Sequence, residues 1–88
     1  MEESSNRVLD NIEAFVDEMT VNKMYGLPNS RYFKWAMIEH NKYGYCWTMG
    51  YKGLCTTIYS KNASENIKYW TTEEDAKIDL VRMISENR

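Results

Sequence analysis

Arg31-Tyr32-Phe33-Lys34-Trp35-Ala36-Met37-Ile38-Glu39-His40 runs through Asn41-Lys42-Tyr43-Gly44 into Tyr45-Cys46-Trp47-Thr48-Met49. Aromatic side chains pack well on a pleated surface, and Phe33, Trp35 and Met37 recur at period two, so the first run predicts a strand. The second places Tyr45, Trp47 and Met49 on one face and Cys46 and Thr48 on the other. A third, Leu54 to Tyr59, alternates Leu54, Thr56 and Ile58 against Cys55, Thr57 and Tyr59. Three strands folded back on one another follow from this pattern.

Two tips are compatible with the second hairpin. A turn at Gly50-Tyr51 sets Cys46 opposite Cys55, and a turn at Tyr51-Lys52 shifts the pairing by two residues. Either way Tyr45, Trp47 and Met49 share a face with Leu54 and Ile58. For the first hairpin, an odd loop with Gly44 as its bulge adds Phe33, Trp35 and Met37 to that face and gives an aromatic, Met-rich core. An even loop presents Tyr32, Lys34, Ala36, Ile38 and His40 instead, a poorer core, and the odd loop is the expectation. The reverse face then carries Tyr32, Ala36, Ile38, Cys46, Cys55 and Tyr59.

The flanks read as helices. Behind the N-cap candidates Ser4 and Ser5, the residues Val8, Leu9, Ile12, Phe15, Val16 and Met19 line one helical face, and the helix is expected to stop between Thr20 and Tyr25, ahead of Gly26 and Pro28. Residues 60–66 are polar and read as a loop, after which Ile67-Lys68-Tyr69-Trp70 offers a short fourth strand. Thr71 with Glu74 fits a capping box, with acids in the first turn, and Ala76, Leu80, Met83 and Ile84 form the stripe of the last helix. The expected fold is α+β: an antiparallel three- or four-stranded sheet with the N- and C-terminal helices packed on one face, as one domain over residues 1–88.

Composition bounds the rest. The chain has 88 residues, 43% of them hydrophobic, with three tryptophans, which indicates a globular domain. An acidic start and the lack of a long apolar run predict neither a signal peptide nor a membrane span, and hence a cytoplasmic protein with Cys46 and Cys55 as thiols. Residues 1–20 carry a net charge of −5, residues 21–70 +5 and residues 71–88 −2. The middle is thus basic and aromatic between acidic helices.

Catalytic and metal-binding sets are thin. His40 and Cys46 form the one conceivable nucleophilic pair, without a recognisable orienting group, and two Cys nine apart with one His lack zinc spacing. No glycine-rich phosphate loop exists, so no cofactor is expected.

The order helix, three strands, helix resembles in layout the double-stranded-RNA-binding domain, whose second helix opens with phosphate-reaching lysines. Here Glu73, Glu74 and Asp75 stand at that place, with Lys77 after them, and such acids repel a phosphate backbone. That activity is therefore not carried over.

The expectation is a non-enzymatic binding protein, an inhibitor or adaptor with a protein partner. Size and architecture suit a phage- or virus-encoded antagonist of a host system, though no motif supports that source. The alternative is a nucleic-acid binder using the basic, aromatic sheet; homodimerisation is also open. Tyr32, Lys34, Ile38, Tyr59 and Lys68 are the expected partner-binding residues.

Overall fold

The computed structural model describes residues 11–53, 57–60 and 67–87. In chain order they form α1 (Ile12–Asp17), β1 (Tyr25–Gly26), β2 (Phe33–Asn41), β3 (Gly44–Tyr51), β4 (Thr57–Tyr59) and α2 (Glu73–Glu86). The strands make one antiparallel sheet in the order β1-β2-β3-β4. The α+β layout is thus the expected one. Its fourth strand is β1, two residues too short to leave a periodic signal, whereas Trp70 makes only an isolated bridge to Tyr45.

The first hairpin corrects the expected core face. Asn41 pairs with Gly44, so the loop is the two residues Lys42 and Tyr43, and Asn41 Oδ1 accepts the Tyr43 N–H at 2.9 Å. With this even loop Ile38 lies opposite Trp47 and Ala36 opposite Met49, and all four are buried under the helices. Trp35 and Met37 point the other way. Phe33 escapes that inversion because the register slips between Phe33 and Trp35, so that Lys34 is the extra residue of a β-bulge. The bulge lies at Lys34, at the far end of the strand, rather than at Gly44.

Gly44 has a different task. At φ +126° it adopts a conformation that side chains rarely take, and a Cβ there would lie 2.6 Å from the Trp70 carbonyl oxygen. The missing side chain lets Tyr45 and Trp70 exchange two backbone hydrogen bonds, at 2.9 and 2.7 Å.

The second hairpin keeps its expected face and loses both expected registers. Met49 pairs with Ile58 and Thr48 with Tyr59, a longer connection than either two-residue turn allows, and Trp47 exchanges hydrogen bonds with Ser60. Leu54, Cys55 and Thr56 lie outside the described residues. So do Ser4, Ser5, Val8 and Leu9 and the expected loop 61–66.

One core unites the layers: Ile12, Val16 and Met19 from the first helical region, Leu27, Phe33, Ala36, Ile38, Trp47 and Met49 from the sheet side, and Ala76, Leu80 and Ile84 from α2. Full burial of a residue such as Leu80 or Ile84 contributes about 1.5–3 kcal/mol. The α2 cap is Thr72, one residue later than expected, and its hydroxyl accepts the Asp75 N–H at 3.2 Å. Trp47 Nε1 donates to Asp79 at 2.8 Å and ties the sheet to α2.

The first helix ends at Asp17, earlier than expected, because the chain must next seal the edge of β2. Asn22 turns into the left-handed region at φ 66°. From there its N–H donates to the Ile38 carbonyl and its side-chain oxygen accepts the His40 N–H at 3.0 Å. One residue thereby serves as a surrogate neighbouring strand.

Candidate functional site

Both helices pack on one face of the sheet, which leaves the other as the candidate site. By alternation from the bulge it is built of Trp35, Met37 and Glu39 on β2, Cys46, Thr48 and Gly50 on β3, and Thr57 and Tyr59 on β4. Trp35 and Met37 are half-buried, and Tyr59 is exposed. The Trp35 indole lies flat over Gly50, where a Cβ would come within 2.1 Å of Nε1. Glycine here makes room for a ring laid against the strand, and an aromatic platform results. Among these strand positions the one formal charge is Glu39, an acid.

Beneath the platform the face is closely packed. Cys46 is buried, and its Sγ donates to Glu39 Oε1 at 3.8 Å. Burial, and then the neighbouring Glu39 carboxylate, push the thiol up to about 11, so it is not an activated nucleophile. His40 belongs to the opposite phase of β2 and stacks on Tyr45, with ring centroids 4.1 Å apart. The conceivable Cys–His pair is therefore divided between the two faces. Among the described residues no group of three or more His, Cys, Asp or Glu is placed to hold a metal ion.

The expected partner-binding residues are dispersed. Tyr32 is exposed ahead of β2, with its ring edge-on to Phe33, and Lys34 is the exposed bulge residue. Tyr59 lies on the open face opposite Thr48. Lys68 is at the other end of the sheet, its ammonium 5.4 Å from the Trp70 ring centroid. Ile38 is 0% exposed in the core, a consequence of the even loop, and has no surface to offer a partner. Trp35 and Met37, expected inside, take its place on the open face. The hydrophobic period carries no signal for this; the register that sets Gly50 across from Trp35 and so makes room for the ring is visible only in the structure.

A second concavity of about 260 Å³ separates the helices, lined by Glu13, Val16 and Asp17 against Glu74, Lys77, Ile78 and Val81. Lys77 is engaged there with Glu73 at 2.9 Å. Among the described residues no helix is long and apolar enough to cross a membrane. Comparison with known proteins finds no matching family model, curated protein or solved structure.

Proposed function

We infer that this chain is a non-enzymatic, cytoplasmic binding protein, an inhibitor or adaptor, whose partner is a protein docking on the open face of the sheet. The observation that carries this reading is the platform of Trp35, Met37 and Tyr59 on the sheet face opposite the described helices. Aromatic residues and Met are enriched at the centres of protein interfaces, and Tyr59 with Trp35 supplies large contact area with few rotatable bonds. Glu39, the one charge among the described strand positions of this face, favours a protein over a phosphate backbone. A phage or viral source, with a host protein as target, is consistent with this reading and is decided by the partner's identity.

The test is affinity capture from lysate of the source cell after nuclease treatment, comparing the wild type with Tyr59→Asp and, as a control on the helical side, Ile78→Asp. A stoichiometric protein that Tyr59→Asp loses and Ile78→Asp retains supports the reading. Capture that disappears with nuclease, or is indifferent to Tyr59, sinks it.

A further inference from the structure

The turn of the first hairpin and residues 68–70 meet at one end of the sheet in a patch that the open-face reading does not use. The two Tyr45–Trp70 hydrogen bonds and the absent Gly44 side chain hold them together. Tyr43, 65% exposed at the tip, lies against Tyr69 with ring centroids 5.5 Å apart. Lys42 Nζ is 5.2 Å from the Tyr43 ring centroid, and Lys68 Nζ is similarly placed over Trp70. Among the described residues neither ammonium forms an ion pair with an acid.

Two of the acids among the described residues, Glu39 and Glu73, have partners of their own. Glu39 lies on the open face beside Cys46. Glu73 is held by Lys77, and among the described residues Glu74 and Asp75 in the first turn of α2 form no ion pair. Among the described residues this end thus offers the Tyr43 and Tyr69 rings with Lys42 beside them and Lys68 over Trp70, neither ammonium ion-paired, whereas the open face offers aromatics with an acid.

We propose that this hairpin end binds single-stranded nucleic acid, with bases stacking on Tyr43 and Tyr69 and phosphates meeting Lys42 and Lys68. Every base has a π-face, so such a platform is tolerant of sequence, and paired cations confer salt dependence. The overall net charge of −2 opposes approach only weakly, because charges beyond about 8 Å are screened at physiological salt. Tyr43 and Tyr69 lie at the hairpin end and Tyr59 on β4, so substitutions at Tyr43 and at Tyr59 test the two readings separately.

The experiment is fluorescence anisotropy of a labelled oligo(dT) titrated with the full chain across a salt series, with inorganic polyphosphate and poly-glutamate as competitors. Two neutralised phosphates predict a log–log salt slope of about −1.4. Tyr43→Ala is expected to weaken binding about tenfold and Lys42→Glu with Lys68→Glu to abolish it, while Tyr59→Asp leaves it unchanged. Circular dichroism of each variant confirms that the fold is retained; if a variant unfolds, Tyr43→Leu and Lys42→Gln with Lys68→Gln replace it. Lack of binding at about 50 mM salt overturns the proposal. So does competition by polyphosphate with no effect of Tyr43→Ala, which would mean charge attraction without stacking. Poly-glutamate competing as well as the oligonucleotide would assign the patch to acidic protein segments instead.

Discussion

The ammonium of Lys77 donates to the backbone carbonyl of Asp17 at 3.0 Å, across sixty positions of sequence, and to that of Met19 at the same distance. A helix leaves its last carbonyls without partners, and a cation there also complements its dipole. Lys77 thus closes the end of α1 from the neighbouring helix while pairing with Glu73 one turn earlier. Its side chain is 11% exposed, so the contact is shielded from solvent. Lys77→Met keeps the stem and removes the charge; it is expected to lower stability by about 1–3 kcal/mol in urea unfolding. An unchanged midpoint would mean that water satisfies the end of α1 equally well.

Gly50→Ala tests the seat of the Trp35 ring. Its Cβ would meet three indole atoms at 2.1 to 2.7 Å, so the ring must leave the strand. The expected cost is about 1–3 kcal/mol, accompanied by a change in tryptophan fluorescence. Repeating the substitution in a Trp35→Ala background should remove most of that penalty, and a penalty that persists there would place the strain in the backbone.

Thr48 is 0% exposed on β3, and its Oγ1 has no hydrogen-bond partner among the described residues. An unsatisfied buried hydroxyl costs about 1–3 kcal/mol, and Val has nearly its shape. Thr48→Val should therefore raise the thermal midpoint. A lower midpoint would show that the hydroxyl has a partner in the folded chain.

Cys46 should resist alkylation. With the thiol pushed up to about 11 from an ordinary 9.0, the thiolate at pH 8 falls from roughly one part in ten to one in a thousand. Iodoacetamide followed by peptide mapping should label Cys46 only after denaturation. The same shift has a sign for stability: the unfolded chain releases this proton first, so the contribution of Cys46 is intact below pH 9 and is lost as pH rises through about 11. Cys46→Ala should lack that alkaline component, which urea unfolding at pH 8 and pH 11 would show against the wild type.

The layout of this fold was legible because α2 and the strands have strong periods. Ala76, Leu80 and Ile84 repeat at helical spacing, and the dipeptide-wise alternation through Tyr45, Trp47 and Met49 survives intact. The face of β2 was not legible, since both phases of that strand are apolar: Phe33, Trp35 and Met37 on one count, Ala36 and Ile38 on the other. What decides between them is the two-residue loop at Lys42-Tyr43 and the bulge at Lys34, neither of which alters hydrophobic period. Tyr59 was readable as a surface aromatic from its strand alone. Ile38 was misplaced and Trp35 overlooked for one shared reason, the parity of a loop.

The seal that Asn22 places on β2 limits how copies of this chain could join edge to edge. Beyond Asn22 that side of the sheet offers only β1, two residues long and a poor template for another strand. Among the described strands the other margin of the sheet is β4. Among the described strands, the Asn22 side would thus lack a template for lateral growth, which makes one polar side chain a guard against edge-to-edge assembly.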